Sequence, residues 1–320
     1  MTKIDPGEHI KRIFTAGLCL IAIIAISLAP GGAPIARSTH AARTSDFVRF
    51  AAIGDFDANS STRTVADLIN TWSPEFVITA GDNNYSNNGS TSAWDNAVGQ
   101  YFGAYIQYPP GSTSSYAPGS SINRFFPALG NHDWDSGGYT GYFALPGNER
   151  YYDFVQGPIH FFVLDSDARE PDGTTSTSTQ GQWLHTRLAA STAPWKIVYF
   201  HHPPYSSAQH GNTSGMQWPF QQWGASLVMA GHDHDYERIM KSGFPYLVNG
   251  FGGRSLYNFG TPQPGSVVRY NANYGAMLIE ATPLTMTLKA YSIANGGKLI
   301  DDFTLVRYQH HVYLPFLRKD

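Results

Sequence analysis

The stretch Arg124-Phe125-Phe126-Pro127-Ala128-Leu129-Gly130-Asn131-His132-Asp133 decides the fold, because an apolar run stops abruptly in a polar cluster. The same pattern recurs four times. Residues 47–53 end in Gly54-Asp55, and residues 75–80 end in Gly81-Asp82. Residues 196–200 end in His201-His202, and residues 225–230 end in Gly231-His232-Asp233-His234. Short, nearly continuous apolar runs suit strands buried on both faces. In layered α/β sheets, ligand sites gather beyond the carboxyl ends of the strands. All five clusters sit at that end. Any one of them taken singly reads as a turn or an incidental histidine, whereas five in the same place imply one shared site.

Working outward, residues 62–72 carry Val65, Leu68, Ile69 and Trp72 at helical spacing, with Ser61 or Thr62 as the expected N-cap. Residues 180–190 give a second helix, and a third is expected near 93–106 inside the polar loop 86–122. Residues 203–219, after the histidine pair, form another irregular loop. From Phe244 on, alternating segments at 246–248, 276–279 and 286–291 imply a second, more antiparallel sheet. The expected fold is α/β, with two packed mixed β-sheets and helices outside.

Composition narrows the function. The 320 residues carry a formal net charge of −3, and only 14% are charged, against about 25% in typical proteins. Few basic residues argue against a nucleic-acid binder, and 42% hydrophobic residues exclude wholesale disorder. Lys3, Lys11 and Arg12 precede an apolar run at 13–29, followed by Pro30-Gly31-Gly32. Residues 1–42 therefore read as a signal peptide or membrane anchor with a short linker, which places the rest outside the cytoplasm. The membrane enters only if that segment stays uncleaved. The single cysteine, Cys19, lies early in the apolar run after Leu18, which does not suit lipidation, so an exported portion has no disulfide. Residues 43–308 form the expected domain and 309–320 a short tail.

The five clusters resemble the metallophosphoesterase (calcineurin-like) superfamily, and within it the purple acid phosphatase-like branch. That family's series is Asp, Gly-Asp-x-x-Tyr, Gly-Asn-His-Asp/Glu, His-x-Pro and Gly-His-x-His. Here it reads Asp55, Gly81-Asp82-Asn83-Asn84-Tyr85, Gly130-Asn131-His132-Asp133, His201-His202-Pro203 and Gly231-His232-Asp233-His234. The likeness spans roughly Phe47 to Val306 and extends to Tyr236-Glu237-Arg238. It implies a four-layer sandwich holding two metal ions. Asp55, Asp82, Tyr85 and His234 would take one ion; Asp82, Asn131, His201 and His232 would take the other.

The resemblance also implies hydrolysis of a small-molecule phosphate ester, a phosphomonoester in an acid phosphatase, by attack of a metal-activated hydroxide. His132 and His210 would serve as catalytic histidines. A phenol has a pKa of about 10, so an ionised Tyr85 calls for a strong Lewis acid. That favours Fe(III) beside a divalent Fe, Zn or Mn ion. The alternative is a phosphodiesterase using divalent ions, and a more remote one is a catalytically silent extracellular binding protein.

Departures bear on the site. The first motif usually reads Gly-Asp-x-Gly, but here Asp57 stands where glycine is expected. Asp57 and His202 are both candidates for supporting roles around the ligands, with His202 either lining the pocket or facing solvent. The resemblance is to the small single-domain type, so no counterpart of the N-terminal sandwich domain of the large plant enzymes is expected. Asp165 and Asp167 read as a strand end on the edge of the second sheet, and His310-His311 as an exposed tail. Asn84-Tyr85-Ser86 matches a glycosylation signal at a place where a glycan would block the site.

Overall fold

The computed structural model describes residues 46–307. In chain order the strands are β1 (Val48–Ile53), β2 (Phe76–Thr79), β3 (Phe125–Pro127), β4 (Tyr152–Gln156), β5 (Ile159–Val163) and β6 (Trp195–Tyr199). They continue as β7 (Leu227–Ala230), β8 (Tyr236–Lys241), β9 (Phe244–Asn249), β10 (Ser266–Tyr270), β11 (Gly275–Ala281), β12 (Thr285–Ser292) and β13 (Lys298–Val306). The longer helices are α1 (Ser60–Thr71), before β2, and α2 (Thr179–Ala190), before β6.

Two mixed sheets result. The six-stranded sheet runs β13-β12-β11-β1-β2-β3, and the seven-stranded sheet runs β10-β8-β9-β7-β6-β5-β4. At the centre of the first, β1, β2 and β3 are parallel. At the centre of the second, β5, β6, β7 and β9 are parallel. Alternation along each strand sends side chains to two cores. Phe50 and Ala52 of β1 face Phe161, Tyr199 and Met229 of the other sheet across the interior. Ala51 and Ile53 turn outward to pack under Val65 and Ile69 of α1. On the far side, Val198 and Phe200 pack under Leu184 and Leu188 of α2. Helices therefore cover the outer face of each sheet, as the sandwich expectation requires.

All five strand-end clusters fall where expected, but four details differ. Segments 276–279 and 286–291 do not join the second sheet. They are β11 and β12, and β11 pairs antiparallel with β1, Val48 opposite Ala281, so they extend the first sheet. The second sheet is built from the middle of the chain instead. The N-cap of α1 is Asn59, whose side chain accepts from the Thr62 N–H at 2.9 Å. The helix expected near 93–106 is broken, running Thr91–Trp94, then a wide turn at Asp95–Gly99, then Gln100–Phe102. Asp165 and Asp167 follow β5, which is not an edge strand because β4 covers it. Residues 1–42 and the 309–320 tail with His310-His311 lie outside the described residues.

Candidate metal centre

The backbone is forced into an uncommon shape where the clusters begin. Asp55, Asp82 and His232 adopt left-handed φ of 55°, 51° and 70°, each directly after the glycine that ends its strand. Such residues cost on the order of 1–3 kcal/mol each and persist only where surrounding structure imposes them. Here the kink folds each side chain back between the two sheets. Two of the motif glycines leave room for a carboxylate. A Cβ on Gly231 would collide with the Asp55 carboxylate, and one on Gly130 with that of Asp82.

The side chains converge at the seam between the sheets. Asp55, Asp82 and His201 are buried, with one donor atom from each lying within 4.8 Å of the others. Asp82 Oδ2 is 3.3 Å from His201 Nε2, and Asn131 Oδ1 and His232 Nδ1 are each 3.1 Å from that same nitrogen. On the other side of the cluster, His234 Nε2 lies 3.6 Å from Asp55 Oδ1. Tyr85 Oη lies 3.4 Å from Asp55 Oδ1 and 3.3 Å from His234 Nε2. All seven expected ligands are therefore gathered in two overlapping groups joined through Asp55 and Asp82.

Backbone groups orient these donors. His232 N–H donates to both Asp55 oxygens at 3.0 and 2.9 Å, and His132 N–H donates to Asp82 Oδ1 at 2.9 Å. His201 Nδ1 lies 2.9 Å from the Ala80 carbonyl and His234 Nδ1 2.7 Å from the Ser255 carbonyl. A carbonyl can only accept, so both rings carry a proton on Nδ1 and turn Nε2 inward. There, His201 Nε2 faces two side-chain oxygens and another ring nitrogen. Lone pairs at that range repel unless a cation sits among them, and second-partner anchoring of this kind is how proteins present histidine to a metal. Mixed carboxylate, amide and imidazole donors suit a first-row ion. The residues present fit a centre of two metal ions, as the resemblance implies.

The electrostatics describe a cluster short of positive charge. Burial pushes Asp55 well above the usual carboxylate range, with the charge on Asp82 adding to it and His201 opposing. Burial also raises Asp82, but the charge and hydrogen bond of His201 outweigh it and hold that carboxyl below its ordinary value. Burial lowers His201, yet Asp82 and Asp55 overcome that and bring it up to about 10. Burial and the neighbouring His201 lower His232, while burial lowers His234 to about 4, so both stay neutral. The cluster draws in positive charge, and an ion or a proton on His201 can supply it.

The flanking histidines both reach the site. The His132 ring is 4.4 Å from that of Tyr85, and His210 stacks on His232 at 4.1 Å. His210 is placed by Asp233, which accepts its backbone N–H at 2.8 Å. His202 is half-buried and lines the pocket, 4.4 Å from the His232 ring. Asp57 does not enter the centre; it pairs with Arg254, whose guanidinium lies 4.6 Å over the Tyr85 ring. Asn84 is fully buried and donates to the Asn88 carbonyl at 3.2 Å, which removes it as a glycan acceptor.

Three contributors escape a reading of the sequence. Asp133 is buried and accepts from Asn83 N–H, Asn84 N–H, Asn83 Nδ2 and Gly130 N–H at 2.8–3.0 Å, tying two motif loops together. Its place inside the Gly-Asn-His-Asp cluster is the one signal that marked it. Arg169 grips the Asn131 carbonyl at 2.9 Å while pairing with Asp167 and Asp135. Tyr257 stacks on His234 at 4.0 Å. Arg169 and Tyr257 lie in loops with no motif of their own.

Residues 48–236 match the family described as calcineurin-like phosphoesterase. The chain is 25% identical over 339 residues to purple acid phosphatase 4 of Arabidopsis thaliana, covering 92% of this chain and 94% of that one. To purple acid phosphatase 15 of the same plant it is 27% identical over 258 residues, covering 64% of this chain and 45% of that one. The structure of a purple acid phosphatase from yellow lupin (Lupinus luteus) seeds superposes with a TM-score of 0.64 at 19% identity. It covers 83% of this chain and 54% of that one. The chain thus spans about half the length of several curated relatives. The fold, the strand-end series and the family match agree: this chain belongs to the calcineurin-like phosphoesterase family.

Proposed function

We propose that this chain is an exported metal-dependent phosphatase that hydrolyses phosphomonoesters. In this reading Asp55, Asp82, Tyr85 and His234 hold one ion, and Asp82, Asn131, His201 and His232 hold the second. The observation that carries it is the convergence of those seven donors, with His201 and His234 anchored through Nδ1 so that Nε2 faces inward. Fe(III) with a divalent Fe, Zn or Mn ion suits a set containing Tyr85. Two such ions would supply Lewis acidity for the phosphoryl oxygens and would lower the pKa of water.

The chain's own residues do the rest. Asp82 and Asp55, buried and fixed by backbone N–H groups, keep the donors pre-organised, so little reorganisation is needed when the ester arrives. In this reading His132, half-exposed beside Tyr85, gives a proton to the departing alkoxide oxygen from Nε2 or Nδ1. His210, stacked on His232, offers a ring N–H to a phosphoryl oxygen. Gathering ester and acid in one cleft lowers the entropic part of the barrier. Export rests on Lys3, Lys11 and Arg12 ahead of the apolar run at 13–29. Among the described residues no helix is long and apolar enough to cross a membrane.

The deciding experiment compares kcat/KM for p-nitrophenyl phosphate and bis(p-nitrophenyl) phosphate on metal-loaded protein from about pH 4 to 9. Monoester preference with an acidic optimum is expected. Diester preference, or turnover only with added divalent ions at alkaline pH, replaces this reading with a phosphodiesterase. No turnover of either ester by protein holding two ions leaves a binding role.

A further inference from the structure

His202 is an unassigned imidazole at the rim of the second-ion pocket. One ring nitrogen from each of His201, His202 and His232 lies within 4.8 Å of the other two. Metal–nitrogen bonds are about 2.0–2.1 Å, so donors around one ion sit up to about 4 Å apart. Side-chain adjustment alone, with no change of backbone, would bring the three within reach of a common ion. The ring is anchored as its neighbours are. Its Nδ1 lies 2.9 Å from Ser166 Oγ, and the same oxygen accepts the His202 backbone N–H at 2.9 Å. Ser166 follows β5, the neighbour of β6, so the anchor belongs to the same sheet as the ring it holds. With Nδ1–H donating to Ser166 Oγ, His202 keeps a free lone pair on Nε2, as His234 does.

We infer that His202 is a further metal donor in the pocket of His201 and His232, giving it three imidazoles and a preference for zinc-like ions over Mn(II) or Mg(II). This rests on the binuclear reading of the site. Imidazole favours Zn, Ni and Cu, whereas carboxylate and carbonyl oxygens serve Mn and Mg. Two imidazoles with Asp82 and Asn131 leave that balance even, and a third tips it.

The opposite arrangement, with Ser166 Oγ–H donating to Nδ1, puts the proton on Nε2 and makes His202 a hydrogen-bond donor to substrate. The test separates the two. Full-length, metal-free protein is titrated with Zn(II) alone and with Mn(II) alone, for the wild type, His202→Ala, His202→Gln and Ser166→Ala. His202→Ala is expected to weaken zinc binding in the second pocket by about tenfold or more while changing Mn(II) binding less than about threefold. Ser166→Ala is expected to fall between. In the Co(II)-loaded wild type, four far-shifted exchangeable imidazole N–H resonances are expected by proton NMR, one of which His202→Gln removes.

Three such resonances in the wild type, or an unchanged zinc-to-manganese ratio in both His202 variants, overturns the inference. So does weaker binding of inorganic phosphate to the zinc-loaded variants at unchanged zinc affinity. His201→Ala serves as the reference: if it still binds two ions, the binuclear reading itself fails. If it loses one while the His202 variants lose none, only this inference does.

Discussion

The two sheets bring different chemistry to the seam. The first, through the ends of β1, β2 and β3, supplies oxygen donors: Asp55, Asp82, Asn131 and Tyr85 just beyond. The second, through the ends of β6 and β7, supplies nitrogen donors: His201, His232 and His234. Each side is aimed partly by the backbone of the other. Asp55 of the first sheet is fixed by the His232 N–H of the second, and His201 of the second by the Ala80 carbonyl of the first. The donor set is therefore a property of the docked pair of sheets, and neither sheet carries it alone. On the oxygen side Asp133 ties the loops together with four hydrogen bonds.

Breaking the oxygen side is the most damaging change expected. Asp82 faces both groups of donors, so Asp82→Ala should cost several kcal/mol of transition-state stabilisation, on the order of a thousandfold in kcat/KM. Elemental analysis should show at least one ion lost. Retention of two ions with near-normal turnover would mean that the sheets do not share a bridging carboxylate.

Metal removal probes the docking itself. Ions that bind only the assembled seam stabilise the fold by mass action, by about 4 kcal/mol when present at a thousand times Kd. Chelation should lower the thermal midpoint accordingly, and a midpoint indifferent to chelator would show that the seam closes without ions. Asp133→Ala tests the oxygen side without touching a proposed ligand. It strands buried N–H groups, each costing about 1–3 kcal/mol, so urea unfolding should reveal a loss of at least about 3 kcal/mol.

Gly231→Ala asks how tightly the sheets approach. The added methyl meets the Asp55 carboxylate, and metal affinity should fall about tenfold with a smaller loss of stability. The smallest effect is expected at Asp57→Asn. Its pair with Arg254 is partly exposed, so about 1 kcal/mol or less is at stake in chemical denaturation. A large loss there would move Asp57 from the periphery into the centre.

What the sequence disclosed follows from where the information is local. Each proposed ligand at a strand end follows an apolar run and, in four cases, a glycine, so Asp55, Asp82, Asn131 and His232 were readable from a few neighbouring residues. The placement of β11 and β12 was not, because their alternating pattern fits either sheet and the choice depends on pairing with β1 far back in the chain. Asp57 showed as a departure, but its partner Arg254 lies 197 positions away, and no local signal links them. Tyr257 and Arg169 are in the same position. Side chains that build the site from strand ends were legible, and those that brace it from loops were not.

The pairing of Val48 with Ala281 has a further consequence for how the chain is made. Synthesis delivers β1 long before β11, so one of its two edges waits unpaired until the residues of β11 leave the ribosome. Contacts so distant in sequence form slowly. The first sheet is therefore finished only after every strand of the second has emerged, and a nascent chain released or captured before residue 275 presents a bare strand edge beside the unfinished donor cluster.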